Sequence, residues 1–235
     1  MRRKTATMGD HSILLYESDR WDMLSSLRKK AASIMYALRD AGLDGLIHGS
    51  VARGDVSSGS DIDIVIPWVV QSFRVELALD DVGITGRKLV QATPNGLIKA
   101  HIYLPDNAMV TFPLIQPTDR ELDFYSFGGQ LGLDDLDDII NNRVPGVDKR
   151  LMLIEPTPEG HVESPLSDLS PGVVARKVGV GLDIVEERIR VLMRRARVGT
   201  TGIYLDRTLA PDEGFEAVLQ EIIAGDSLVR RRVRK

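Results

Sequence analysis

Cysteine is absent from the 235 residues, which excludes a disulfide framework and any thiolate metal centre and fits a reducing compartment. Histidine is scarce: four scattered residues make a poor zinc donor set. Aromatic residues make up only 5% of the chain, too few for a stacking platform from which base recognition could be argued. No apolar run approaches membrane-spanning length, and the N-terminal stretch MRRKTATMGDHSILLYESD has basic residues without the apolar core of a signal peptide. The expectation is a soluble, cytoplasmic protein with no membrane partner.

Charge is unevenly distributed along the chain. Net charge is −4, yet residues 176 to 235 hold thirteen Lys and Arg against nine Asp and Glu, leaving residues 1 to 175 at −8. The basic groups cluster in RIRVLMRRAR, from Arg188 to Arg197, and in VRRRVRK at the end. Such clusters either follow a phosphate backbone or form a solvated helix face with a frayed tail.

What the chain does contain is LIHGSVARGDVSSGSDIDIVI, from Leu46 to Ile66. Alternation along a strand sends Asp61 and Asp63 to one face and Ile62, Ile64 and Ile66 to the other. Two adjacent carboxylates repel unless a cation lies between them, and oxygen-only ligands favour Mg²⁺ or Mn²⁺. Ahead of them, Ile47-His48 ends a short strand, Gly49 permits a tight turn, and Ser50 offers a hydroxyl and an N-cap for a helix whose N-terminus would face an anion. Arg53, one turn on, is placed to neutralise a triphosphate. A phosphate cradle facing a divalent-metal pair is the minimal equipment for phosphoryl transfer. Taken singly, Gly-Ser is also a common tight turn, and two aspartates also decorate edge strands.

The segment resembles the nucleotidyltransferase superfamily typified by DNA polymerase beta, whose pattern is an apolar residue, Gly-Ser, about ten residues, then Asp-x-Asp in a strand. Gly49, Ser50, Arg53, Gly54, Ser60, Asp61 and Asp63 match it, and the layout is similar to archaeal stand-alone nucleotidyltransferases of unassigned substrate. The resemblance implies a Mg²⁺-dependent transfer of a nucleoside monophosphate from an NTP to a hydroxyl or phosphate acceptor. Asp61 and Asp63 would be catalytic and metal-holding, and Gly49, Ser50, Arg53 and Ser60 nucleotide-binding. RNA is the expected acceptor from the basic C-terminal half.

Members of that superfamily carry a third acid on a later strand. The corresponding stretch here is VTFPLI, with Thr111 where aspartate is expected, and a hydroxyl is no carboxylate base. Asp106, Glu121, Asp123 and His101 are the candidate replacements. The departure keeps a second reading open: a catalytically silent member that binds nucleotide or RNA as a sensor or partner protein, as in toxin–antitoxin-like pairs.

The expected fold is α/β (α+β): a mixed-sheet nucleotidyltransferase domain over 1–165 and a small helical, basic C-terminal domain over 166–235. Apolar spacing predicts helices over Asp19–Ala41, 69–79, 134–141, Val178–Arg197 and Pro211–Ala224. In Val178–Arg197 the apolar face is Leu182, Val185, Ile189, Leu192 and Met193. Strands are expected at Gly45–His48, Asp61–Ile66, Arg87–Ala92, Ile98–Leu104, Met109–Ile115 and Lys149–Ile154, with a hairpin turn at Pro105-Asp106-Asn107. EPTPEGHVESPLSDLSPG reads as a connector. Lys149, Arg150, Glu155, Glu159, His161 and Glu163 stand around it as candidate acceptor or triphosphate contacts. The sequence leaves oligomeric state and base preference open.

Overall fold

The structure is a computed structural model describing residues 5–138, 140–199 and 202–234. Its first half runs β1 (Ser12–Leu15), α1 (Ser18–Asp40), β2 (Leu46–His48), α2 (Ser50–Arg53), β3 (Ile62–Val65), α3 (Ser72–Ala78), β4 (Gly86–Gln91), β5 (Ile98–Leu104) and β6 (Ala108–Pro113). Then follow α4 (Asp119–Gly128), β7 (Gln130–Gly132), β8 (Gly146–Val147), β9 (Met152–Thr157), β10 (Gly160–Pro165), α5 (Pro171–Val178) and α6 (Leu182–Val198). β11 (Leu205–Thr208), α7 (Phe215–Gly225) and α8 (Ser227–Val233) complete an α+β chain. No helix among the described residues is long and apolar enough to cross a membrane.

The chain divides into two units, each assembled from non-consecutive pieces. The first takes residues 1–32, 47–60 and 119–201; the second takes 33–46, 61–118 and 202–235. The division expected at residue 165 is therefore not the one observed. The helices after it lack a core of their own: α5 and α6 share one with α4 and the β8–β9 strands, whereas α7 and α8 belong with the second unit.

In the first unit, β1, β10, β9 and β8 form a four-stranded antiparallel sheet. Phe127, Val147, Leu151, Leu153, Leu166, Val174, Ile184 and Val185 are buried together over it. The segment expected as a connector is the β9–β10 hairpin. Its prolines are compatible with strands because of register: Pro156 faces His161 and Pro165 faces Met152, one step from bonded pairs, so neither missing N–H points at the hairpin partner. The helix expected over Val178–Arg197 is α6, which begins four residues later at Leu182, and a further helix, α5, precedes it. Pro171 opens α5, and Gly179, at φ 69°, lets the chain turn before α6. Of the expected apolar face, Val185 is buried beside Ile184, and Ile189 and Leu192 pack against the same core, while Leu182 and Met193 lie exposed.

In the second unit, β11, β4, β5, β6 and β3 lie side by side, antiparallel except for the parallel β6–β3 pair. Asp106 and Asn107 at φ 59° and 56°, with Ala108 N–H donating to the Pro105 carbonyl at 3.2 Å, make the type I′ turn that matches strand twist. Strict alternation along β5 buries Ile98, Ala100, Ile102 and Leu104 and leaves Lys99, His101 and Tyr103 half-buried on the other face. On the apolar face Phe112 meets Phe215 of α7 edge-on at 5.8 Å. Gly45 passes so close to β3 that a Cβ there would lie 2.9 Å from an Ile64 methyl. β11 and β1, both short and flanked by polar residues, were not signalled by periodicity.

Candidate functional site

The glycine turn is in the first unit. Gly49 adopts φ 82°, ψ −141°, a backbone closed to β-branched residues, and no atom lies within 4 Å of where its Cβ would stand. Gly49, not Ser50, is the N-cap of α2, so the side-chain cap expected at Ser50 is replaced by a backbone turn. The Ser50 hydroxyl donates instead to Ser60 Oγ at 3.3 Å, and Ser60 Oγ accepts from the Ser57 N–H at 2.9 Å, bracing the loop after the helix. Beneath, the fully buried Arg28 donates to the carbonyls of Val51, Ala52 and Asn142 at 2.8–2.9 Å, capping the C-terminal end of this one-turn helix. Burial pushes the Arg28 guanidinium down to about 10, so it remains charged at neutral pH.

Arg53 does not do what its spacing suggested. Its Nε and one Nη grip both Asp55 oxygens at 3.0 Å, its other Nη donates to the Gly128 carbonyl at 2.5 Å, and it is 6% exposed. The guanidinium is consumed inside the fold by Asp55 and the Gly128 carbonyl, not held out toward a triphosphate as the spacing led one to expect. Gly129, at φ 84°, leaves room for it: a Cβ there would lie 2.7 Å from Arg53 Cγ.

The aspartate pair is in the second unit. Asp61 is exposed, one residue ahead of β3; Ile62 and Ile64 are fully buried, and Asp63 between them is half-buried on the opposite face. On that polar face, Asp63 lies across from Met109 and Val65 from Thr111 on β6, and Thr111 lies across from His101 on β5. Thr111 is 4% exposed and its hydroxyl sits 2.9 Å from His101 Nδ1. Burial, with the Lys99 ammonium beside it, pushes His101 down to about 3, so it is a neutral hydrogen-bonding ring and a weak base. Lys88, bridged to Asp206 at 3.0 Å, continues the polar face onto β4.

The candidate third acids do not complete a metal centre by themselves. Asp106 occupies the tip of the β5–β6 turn. Glu121 and Asp123 are on α4 of the first unit, where Asp123 accepts from the Gly181 N–H at 3.1 Å ahead of α6. Among the described residues no group of three or more His, Asp or Glu is arranged to hold a metal. Two carboxylates separated by one buried residue do suit a single hard cation whose remaining positions are filled by water and phosphate oxygens.

The charged residues around the β9–β10 hairpin form a well-connected polar cluster, and it is internal. The fully buried His161 accepts or donates at 2.5 Å with the Tyr16 hydroxyl through Nδ1 and lies 3.3 Å from Glu163 through Nε2. Arg150 links Glu163 and Asp148 at 2.5 Å each, and Ser12 donates to Glu163 at 3.3 Å. These partners hold the Glu163 carboxyl down at about 2, while burial pushes the Tyr16 phenol up to about 12. Lys177 pairs with Glu155. Arg150, His161, Glu163 and Glu155 are thus structural; Glu159 lines an open groove of about 690 Å³ with Leu15, Tyr16, Trp21, Ile140 and Pro158.

The basic clusters separate likewise. Arg194, Arg195 and Arg197 on α6 are exposed, whereas Arg188 is stacked 4.9 Å above the Phe124 ring. In the tail, Arg230 donates to the Ile223 carbonyl at 2.9 Å and to Ala224, tying off α7, and Arg232, 6% exposed, donates to the Asn95 carbonyl at 3.1 Å. Two arginines expected as phosphate contacts therefore act as helix and loop caps; Lys235 lies outside the described residues. A scan of the chain against protein-family models finds no match, and none is found among curated proteins.

Proposed function

We propose that the chain is a Mg²⁺-dependent nucleotidyltransferase that moves a nucleoside monophosphate from an NTP to a hydroxyl or phosphate acceptor. The observation that carries this reading is the pair Asp61 and Asp63, set about the buried Ile62 on the polar face of a mixed sheet, in a chain that has just made the glycine turn at Gly49-Ser50. In this reading the two carboxylates would hold Mg²⁺ (or Mn²⁺), which when bound neutralises triphosphate charge. Gly49 and the Ser50 hydroxyl bind phosphate oxygens through a turn that Arg28 and Arg53 keep rigid. Ser60 supports the Ser50 hydroxyl. The polar strands β5 and β4, with His101, Lys99 and Lys88, orient the substrate. The protein acts in the cytoplasm, and the exposed Arg194, Arg195 and Arg197 favour RNA as the acceptor.

Calorimetric titration of ATP, with and without Mg²⁺, and incubation with labelled NTPs and a mixed RNA pool test it. Asp63→Asn should lower Mg²⁺-dependent NTP affinity at least ~10-fold with unchanged thermal stability. Wild-type affinity and transfer in both Asp61→Ala and Asp63→Ala would remove the assignment.

One observation favours a second reading, a silent nucleotide-binding sensor: Thr111, in the place of the third acid, is buried and engaged by a weakly basic His101. Under that reading the wild type binds Mg²⁺–NTP without turnover, and Thr111→Asp is the change that would introduce transfer.

A further inference from the structure

The first unit's sheet ends at β1. β1 pairs only with β10, and no strand lies beyond it among the described residues. The Tyr16 N–H donates to the Glu159 carbonyl at 2.9 Å, and Leu14 and Ser12, two and four residues back, face His161 and Glu163. Bonded and non-bonded positions alternate in an antiparallel pair, so Ser12 and Leu14 bond inward and the N–H and C=O of Ile13 and Leu15 point outward. The side chains of those same two residues are 74% and 67% exposed. Natural edges are defended by lysine, proline or a bulge; Ser-Ile-Leu-Leu has neither residue, and its register against β10 is unbroken.

We propose that this edge binds a second copy of the chain, β1 against β1 antiparallel about a twofold axis at Leu14, joining two four-stranded sheets into one of eight. The edge is self-complementary. Ile13 and Leu15 are equidistant from Leu14, so each outward N–H and C=O of Ile13 meets those of Leu15 in the second copy, and the apolar side chains stack in cross-strand pairs. The flanks agree in hydrogen bonding: the same axis sets the imidazole of the exposed His11, which already contacts Asp168 at 2.7 Å, across from the carboxylate of the exposed Glu17 of the other copy. A four-residue strand pair is smaller than an ordinary stable interface, and the groove walls at Leu15, Trp21 and Pro158 beside it supply further apolar surface. The dimer therefore belongs to the weak, concentration-dependent class.

Sedimentation velocity of the full chain from about 1 to 200 μM should show a shift from one to two copies, the micromolar range that such an interface supports. Ile13→Pro removes only an outward N–H, so it should keep the wild-type circular dichroism and melting temperature and remain monomeric throughout. Register is tested by charge. Ile13→Lys alone and Leu15→Glu alone should each be monomeric, and an equimolar mixture should dimerise, because the introduced ammonium of one variant faces the introduced carboxylate of the other across the axis. A wild type that stays monomeric overturns the proposal, including one that instead takes up a synthetic extended peptide at this edge. So does a folded Ile13→Pro that dimerises like wild type, or a mixture that fails to associate.

Discussion

The two units arrange their ionisable residues differently. In the first, Asp148, Arg150, Glu163, His161 and Tyr16 form an unbroken chain of short contacts around one buried imidazole. In the second, Asp63, Thr111, His101, Lys99 and Lys88 share a sheet face, with Thr111–His101 the short side-chain contact at its centre. Density of charge is thus a poor guide to chemistry. The first cluster has spent its hydrogen-bonding capacity on itself, and any face that binds a ligand has to keep some of it.

The largest test of that contrast is Glu163→Ala. It leaves Arg150 and His161 without their shared partner in a poorly hydrated place and should lower unfolding free energy by about 3 kcal/mol in urea titrations. The pH dependence follows. Because Glu163 is held down at about 2 in the fold, its stabilisation is complete above its unfolded value near 4.5 and is lost as pH falls toward 2. Glu163→Gln should flatten stability over that window. A cost under about 0.5 kcal/mol would place the cluster with ordinary surface ion pairs.

Arg28→Met is next. It strips the carbonyls of Val51, Ala52 and Asn142 of their donor while keeping most of the volume, and should cost about 2 kcal/mol. It should also weaken NTP binding, since α2 carries the Gly49 turn. Loss of stability with unchanged NTP affinity would detach the turn from the ligand.

The smallest effect is expected on the polar face. His101→Gln should change stability near neutral pH by less than about 1 kcal/mol, because the neutral ring supplies one hydrogen bond. Its signature is in acid. His101 is pushed down to about 3 in the fold, so the wild type loses stability as pH falls below the unfolded value near 6.5, and the variant should lose less from there down toward pH 3. Identical pH profiles for the two proteins would show that His101 titrates normally.

Local patterning was sufficient for a good part of this molecule. The strand expected over Ile98–Leu104 is β5, whose alternation sends Ile98, Ala100, Ile102 and Leu104 to one side and Lys99, His101 and Tyr103 to the other. The periodicity over Asp19–Ala41 is one helix, Ser18–Asp40, with Gly42 at φ 70° just beyond it. Asp-x-Asp alternates about a buried isoleucine as its spacing required. These features depend on a single period of two or about 3.6 residues and on the steric freedom of glycine, which are properties of neighbouring residues. What tertiary structure alone decided is which groups remain available. Arg53 follows Ser50 at the spacing of a phosphate ligand, but Asp55 and the Gly128 carbonyl, 75 residues away, claim its guanidinium. Arg230 and Arg232 stand in a basic run, but the end of α7 and the carbonyl of Asn95 claim theirs. The prolines of the β9–β10 hairpin read as a linker until register showed their missing N–H groups pointing away from the partner strand. A donor's identity is local, whereas its partner is set by chain segments brought together by burial, and no period in the sequence encodes that pairing.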